Sequence, residues 1–328
     1  MTKPWLISVT DPETGQDREV SASETFNPRT NGGRLTVTGP LDQGSPTPSD
    51  SLLWMPVNGN KVGLFDGSKW SLHTLSSTTV ASATGLGLTI NTNYDVFLYL
   101  NSNGLAFSLV AWASPTARAV PISLVDGVWV QTGDNTRRLL GVVRTVDAGS
   151  PTSGVTPAFI NFGDAGVSAF NQRPQRFVIN IDNAIPLISN TNDSSGWTFT
   201  ASSLSQIVGN DVENWTHELL FPFIHSSLQF RASVLVSPAG TNVSNLFHFI
   251  PLYDGVQIPQ SVAGHNGIGG VTTGAQSLHA FMNVAAAPSG AGLHVVTMGG
   301  FTNAPASPIL WSDVGGAGFG GMSSIIMG

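Results

Sequence analysis

The strongest candidates for chemistry in this sequence are two carboxylates, Asp211 and Glu213, beside the aromatic residue Trp215. In an extended chain, residues two apart lie on the same face, so both carboxylates would point to one side. Hydrolysis of a glycosidic bond needs two carboxyl groups roughly 5 to 10 Å apart. The group is therefore the one candidate in the sequence for a sugar contact, used for binding or for cleavage of a polysaccharide. A polar rim beside an aromatic side chain is the interpretation that we favour for these residues.

Other motifs of enzymes and cofactor sites are weak or missing from the sequence. Residues 316–321 match GxGxxG, but only seven residues follow, too few for the helix that a dinucleotide site needs. There is no cysteine and no GxSxG motif to supply a nucleophile. The seven histidines show no HxH, HxxxH or HExxH spacing, although ligands could still converge from distant strands. We expect no enzyme activity, no catalytic residue, no metal and no cofactor.

The composition of the sequence favours strands over helices. Charged residues make up 10% of the chain, with three lysines and five glutamates, too few for the solvated faces of long helices. Gly, Ser, Thr, Asn and Val are abundant, as is typical of short strands joined by tight turns. The 328 residues are enough for two domains that each bury a core. We predict an all-β protein, with an antiparallel hairpin-built β domain followed by a jelly-roll-like β-sandwich.

Three hairpins are predicted in the first part of the chain. Apolar runs flank Asp66-Gly67, residues 102–104 and Asp126-Gly127. Asp-Gly and Asn-Gly between apolar runs are strong hairpin signals because a tight turn needs positive φ. Residues 96–100 alternate so that one set of side chains faces the core and the other an opposing layer. A last strand at 138–145 closes this predicted domain.

Seven further strand candidates follow residue 190, separated by Gly, Pro and Asn at intervals typical of a two-sheet sandwich. The chain then ends in a Gly-rich segment and a short apolar strand. Such a terminus is usually tied into a sheet or an interface, so we predict oligomer contacts at Trp311, Phe319, Met322, Ile325 and Ile326. The predicted organisation is an N-terminal arm (1–32), the antiparallel β domain (33–148), a connector with short strands (149–189) and the β-sandwich (190–328).

Charge is low and unevenly distributed along the chain. The net charge is −7 and the only adjacent basic pair is Arg137-Arg138, so we expect no nucleic-acid partner. No apolar run reaches the roughly 18 residues of a membrane span, and the N-terminus does not read as a signal peptide. Residues 255–312 contain no Asp, Glu, Lys or Arg. This favours a surface covered by other subunits; a surface wetted only by Ser, Thr and Asn is the alternative.

Five motifs occur in one order in the first block. They are LWMPVNGNKVGLFDG (53–67), YDVFLYLN (94–101), AW (111–112), DGVWVQTG (126–133) and TRRLLGVVRT (136–145), preceded by GRLT at 33–36. Over residues 33–145, about a third of the chain, this succession resembles a module of uncharacterised structural proteins of tailed bacteriophages. Where members often carry an aromatic residue after the Arg-Arg pair, this chain has Leu139.

The resemblance implies a non-enzymatic virion protein of a fibre, spike or head-decorating appendage. Such a protein assembles with copies of itself, with a trimer favoured, and with other phage virion proteins, and it is located in the virion after assembly in the host cytoplasm. Two alternatives share this scaffold. One is a receptor-recognition adhesin that binds a host-surface glycan through Trp215, Asp211 and Glu213, and the other is a polysaccharide depolymerase.

Overall fold

The chain is built from β-strands wherever its structure is described. The computed structural model describes residues 6–10, 17–21, 27–37, 45–83, 85–147, 157–161, 175–182, 187–190, 197–199, 203, 205–206, 216–223, 227–238, 247–257, 276–284, 290–302, 309–311 and 320–327. All regular elements in these ranges are strands, which confirms the predicted all-β class. No helix within them is long and apolar enough to cross a bilayer.

The strands fall into two groups along the chain: the first block, or hairpin block, up to residue 161, and the second block from residue 175 onward. Those up to residue 161 are β1 (Leu6–Thr10), β2 (Asp17–Ser21), β3 (Gly33–Thr36), β4 (Ser45–Ser49), β5 (Ser51–Pro56), β6 (Lys61–Phe65), β7 (Trp70–Thr74), β8 (Thr78–Ser82), β9 (Asn93–Asn101), β10 (Gly104–Ala111), β11 (Ile122–Val125), β12 (Val128–Gln131), β13 (Asp134–Asp147) and β14 (Pro157–Asn161). Those from residue 175 onward are β15 (Gln175–Arg176), β16 (Val178–Asn180), β17 (Leu187–Asn190), β18 (Trp197–Phe199), β19 (Ser205–Gln206), β20 (Thr216–Phe221), β21 (Ser227–Pro238), β22 (Phe247–Tyr253), β23 (Val256–Gln257), β24 (Gln276–Val284), β25 (Gly292–Thr302), β26 (Ile309–Trp311) and β27 (Gly320–Met327).

The three predicted hairpins are present as β6–β7, β9–β10 and β11–β12. In the last of these, Asp126 and Gly127 have φ of 50° and 78°, as a tight turn that follows the twist of the strands requires. The first hairpin differs in its turn, because Phe65 pairs with Trp70 and leaves four residues in the loop. The Asp66 carboxylate closes this longer loop by accepting backbone N–H bonds at 2.8 and 2.9 Å. It is an Asx turn, which the Asp-Gly sequence also favours.

A central sheet in the order β10-β9-β13-β12-β11 organises the first block. The 14-residue strand β13 pairs with β9 along one edge and with β12 and β16 along the other, and its end pairs with β14. The register shifts between Leu139 and Gly141. A Cβ at Gly141 would collide with the backbone carbonyl of Ile179, so only glycine fits where β16 approaches.

Both faces of the central sheet are buried. One face packs against the small sheets β3-β5-β8 and β6-β7, with Trp54, Val96 and Leu98 in the shared core. The opposite face carries a second apolar cluster that includes Trp112, Val142 and, from the second block, Leu220. In the alternating segment 96–100, Val96 and Leu98 face the first of these clusters, and Phe97 on the other side of the strand is fully buried.

Eight strands of the second block form two sheets in an interleaved order. They are β17, β20, β21, β22, β23, β24, β25 and β27. Numbered one to eight along the chain, they pair in the order 1-8-3-6 in one sheet and 2-7-4-5 in the other. This is the double Greek-key order of a jelly roll, and it confirms the predicted fold of the second block.

Strands that precede the jelly roll join both blocks. Two of them, β14 and β16, pair with β13 of the central sheet. A third, β15, extends the jelly roll, since it runs parallel to β20. In the N-terminal region, predicted as an arm, β1 and β2 form a hairpin.

Candidate functional site

The residues predicted to contact a sugar, Asp211, Glu213 and Trp215, lie outside the described residues, as does Phe319. The other predicted oligomer contacts are on strands that already have two neighbours. Met322, Ile325 and Ile326 are on β27, between β17 and β21, and Trp311 is on β26, between β18 and β21. Their backbone groups therefore pair within the chain, and contact with another subunit stays a prediction for their side chains.

The most organised polar site in the described chain lies where the two blocks meet. Arg118 approaches Asp95 of β9, with its Nε 3.0 and 2.9 Å from the two carboxylate oxygens. Its Nη2 donates to the carbonyl oxygen of Pro222 at 2.8 Å, and its guanidinium lies 4.4 Å from the ring centroid of Trp112. One guanidinium thus links the central sheet to the segment that follows β20.

Burial controls the electrostatics of this pair. Asp95 is 1% exposed. Burial raises the pKa of its carboxyl to about 6, although the neighbouring Arg118 guanidinium acts to lower it. Removing the charge from water therefore costs more than the ion pair returns, which makes the pair a specific link rather than a strong source of stability.

Backbone and apolar contacts surround the ion pair. The carbonyl oxygen of Pro115 accepts the backbone N–H of Leu293 in β25 at 2.9 Å and the side-chain amide of Asn93 at 2.7 Å. Near the same boundary, the rings of Trp129 and Phe223 lie 4.8 Å apart. These contacts, together with the apolar cluster around Trp112, join the hairpin block to the jelly roll.

A buried arginine on β13 flanks this junction. Arg144 donates to the Asn93 side chain at 2.8 Å, and its guanidinium lies 5.8 Å from the ring centroid of Phe177. Burial lowers the pKa of Arg144, and the Glu218 carboxylate on β20 raises it. A charge of the jelly roll thus acts on a buried cation of the central sheet.

Arg138 donates five hydrogen bonds and ties the chain before β3 to the core. It is 2% exposed and donates to the carbonyl oxygens of residues 28, 29, 30 and 63 at 2.8 to 2.9 Å. It also pairs with the Asp182 carboxylate at 2.9 Å. The sequence shows Arg137-Arg138 only as a small basic pair, yet strand alternation places Arg137 on the more exposed side, beside Asp134.

His294 and Asp254 resemble a catalytic dyad but have no free ring nitrogen. The Nδ1 of His294 lies 2.8 Å from the Asp254 carboxylate, and Nε2 lies 3.1 Å from the carbonyl oxygen of Gly290. The imidazole is 1% exposed and stacks on Tyr253, with ring centroids 5.0 Å apart. Asp254 and Gly255 have φ of 50° and 76°, close to the values of the Asp126-Gly127 turn. The Asp254 carboxylate additionally fastens this turn to β25.

No group of three His, Asp or Glu side chains suited to a metal ion occurs within the described ranges. The strand β27 begins at Gly320, so the residues after the GxGxxG segment form a strand and not the helix of a dinucleotide site.

Comparison with known proteins found no matching family model and no significant match among curated proteins. Among solved structures, the chain is similar to that of infectious bursal disease virus Gx strain, with a TM-score of 0.26, 9% identity and 98% of this chain and 69% of that chain covered. The chain is also similar to the infectious bursal disease virus VP2 subviral particle, with a TM-score of 0.27, 11% identity and coverage of 98% of this chain and 70% of that chain. For the T13 particle of the same virus, the TM-score is 0.24 and the identity 8%, and the match covers 98% of this chain and 74% of that chain. TM-scores this low do not place two chains in one fold family.

Proposed function

We propose that this chain is a non-enzymatic structural protein of a virus particle that assembles with copies of itself. The observation that carries the proposal is the jelly-roll strand order of the second block, joined to a buried central sheet through Arg118. Jelly rolls serve in viral capsids, lectins and cupins. A cupin site needs convergent metal ligands. The histidine–carboxylate pair of His294 with Asp254 is instead engaged in holding a turn.

The finer assignment is an appendage of a tailed bacteriophage, such as a fibre, spike or head decoration. It rests on the resemblance over residues 33–145, whose motifs coincide with β3, β5, β6 and the β9 to β13 hairpins. The same proposal includes a homotrimer, contacts with other virion proteins, and assembly in the host cytoplasm before incorporation into the virion.

Assembly is tested on the purified full chain at micromolar concentration by size-exclusion chromatography with light scattering. We expect a homogeneous oligomer whose mass is a multiple of the 34.3 kDa chain, with three copies favoured. A stable, soluble monomer at these concentrations contradicts the proposal. Immunogold labelling of intact virions that contain the chain then locates it on the head or the tail.

A host-glycan adhesin is the second candidate, because the jelly roll is also a lectin fold. On this proposal Trp215 would stack on a sugar ring, with Asp211 and Glu213 bonding to its hydroxyls. Binding on a glycan array that is lost in Trp215→Ala and kept in Trp197→Phe supports it. An array without binding contradicts it and leaves the structural role in place.

A further inference from the structure

Strand β10 forms one edge of the central sheet and offers an unprotected row of backbone groups. Among the described residues, β9 is the only strand that pairs with it. The β9–β10 register runs without a shift from residue 104 to residue 111. Every residue from 104 to 110 is partly exposed, and Ala111 is exposed. Within the part of the chain that the structure describes, one side of this eight-residue strand therefore has no partner strand and can accept another extended chain.

Two other edge strands in the described first block, β4 and β11, carry features that oppose pairing, and β10 carries neither of them. Strand β4 contains Pro46 and Pro48, which lack the N–H that a ladder needs. Strand β11 has four residues and follows Pro121. Strand β10, with the sequence GLAFSLVA, has no proline, no charge and no bulge. A long, neutral, regular edge is a pairing template, and proteins that stay monomeric block such edges.

The two faces of β10 favour a partner of the same sequence. Leu105, Phe107 and Leu109 pack against the core, while Ala106 and Ser108 lie on the opposite face with Tyr99 and Arg137. In an antiparallel pair related by a two-fold axis, directly opposed residues point to the same side. The core-facing residues of the two copies would then lie on the same face of the joined sheet and form one continuous apolar surface. The greatest overlap of the eight residues places the axis at Phe107 or at Ser108.

We propose that β10 pairs antiparallel with β10 of a second copy, so that two central sheets join into one across a two-fold axis. The neutrality of the strand permits self-pairing, since no like charges would oppose each other. The nearest cation, Arg137, is already paired with Asp134 at 2.9 Å. This inference rests on the proposed self-assembly and names the surface that would provide one of its contacts, separate from any three-fold contact.

The absence of cysteine from the chain allows a direct test by disulfide cross-linking. Opposed residues of an antiparallel pair have Cα atoms about 4.5 to 5.5 Å apart, within the range of a disulfide. Ser108→Cys should cross-link with itself if the axis passes Ser108. A mixture of Ala106→Cys and Ser108→Cys should cross-link if the axis passes Phe107. Ser123→Cys, on β11 at the other edge of the same sheet, is the matched control and should stay reduced under the same mild oxidation.

Charge complementation supplies the second measurement and excludes misfolding as the cause. Ala106→Lys and Ala106→Glu, if the axis passes Phe107, or Ser108→Lys and Ser108→Glu, if it passes Ser108, should each remove the two-fold contact. The mass by light scattering should then fall by half, from six copies to three where a three-fold contact also forms, and an equimolar mixture of the Lys and Glu variants should restore it. Leu124→Lys, at the exposed position on β11, should leave the mass unchanged. Cross-linking of Ser108→Cys, with itself or with Ala106→Cys, without cross-linking of Ser123→Cys and together with restoration, supports the inference. If the wild type assembles but β10 variants neither cross-link nor lose mass, the inference is wrong and the proposed function stands. A monomeric wild type overturns both.

Discussion

The hairpin block and the jelly roll are held together in different ways. The hairpin block buries Arg34, Arg138 and Arg144, and the guanidiniums of Arg138 and Arg144 fasten segments far apart in sequence. In the jelly roll, residues 255–312 contain no charge, and the central strand β25 is fixed by ladders to β20 and β22 on its two sides. Buried hydrogen-bonded charge thus defines the long-range contacts of one block, and continuous strand pairing defines those of the other.

The burial of β25 explains part of the uncharged stretch at residues 255–312. Val296 and Met298 of β25 are fully buried by their own chain, and His294 is 1% exposed. The missing charges of this strand therefore reflect a central position inside the sandwich, and contact with other subunits is not needed to account for them. The prediction that other subunits cover this surface then depends on the uncharged residues of 255–312 that lie outside β25.

The largest expected effect comes from removing the buried cation of the hairpin block. Arg138→Met leaves four carbonyl oxygens and the Asp182 carboxylate without this donor. We expect a loss of about 3 to 5 kcal/mol in the free energy of unfolding, measured by urea denaturation. Arg137→Met removes the adjacent but partly exposed arginine and should cost less than about 1 kcal/mol. Equal losses in the two variants would refute the anchoring role of Arg138.

The next effect tests whether the junction between the blocks is sensitive to pH. The pKa of Asp95 is raised from 3.8 to about 6 in the folded chain, so between these values the folded state holds a proton that the unfolded state lacks. The contribution of this group is fully present below about pH 4 and is lost as pH rises through about 6. Two pKa units correspond to roughly 3 kcal/mol.

The unfolding free energy of the wild type should therefore fall between pH 4 and pH 7, as measured by denaturation across that range. In Asp95→Asn this fall should be absent. Asp134 is the matched control, because hydrogen bonding from Thr136 lowers the pKa of its carboxyl. Its contribution has the opposite sign and is lost as pH decreases. If the pH profile of Asp95→Asn equals that of the wild type, burial does not govern Asp95.

Local signals in the sequence predict much of this fold. Each hairpin depends on a turn of a few residues, and the motifs around Asp66, Asp126 and Asp254 lie beside the strands that they join. The jelly-roll class follows from the number and spacing of short strands. The order of the strands does not, because pairs such as β17 with β27 join residues more than a hundred positions apart.

The junction could not be predicted because its partners have no characteristic spacing. Arg118 lies 23 positions after Asp95 and 104 positions before Pro222. One signal was available for Arg138 and Arg144, since an arginine within the apolar run of β13 has to find partners when the strand is central. The candidate sugar site, Asp211 with Glu213 and Trp215, stays a prediction from the sequence.

A smaller effect separates two turns of the same geometry in the two blocks. Asp126 and Asp254 both have φ of 50°, but Asp126 accepts the indole N–H of Trp70 at the surface, whereas Asp254 holds buried His294. Glycine keeps the positive φ and removes only the carboxylate. Asp254→Gly should lower the unfolding free energy by about 1 to 3 kcal/mol because a buried donor loses its partner. Asp126→Gly should lower it by less than about 1 kcal/mol. The reverse order in thermal denaturation would contradict this reading of Asp254.

The smallest expected effect measures how strongly the blocks are joined outside the ion pair. Trp129 and Phe223 come from different blocks, with ring centroids 4.8 Å apart. A double-mutant cycle of Trp129→Leu and Phe223→Leu should give a coupling of about 0.5 to 1.5 kcal/mol. The cycle of Trp70→Leu with Phe223→Leu, for which no ring contact is found in the described chain, should give a coupling near zero. A Trp129–Phe223 coupling near zero would mean that Arg118, the Pro115 carbonyl and the apolar cluster around Trp112 join the blocks without help from this aromatic pair.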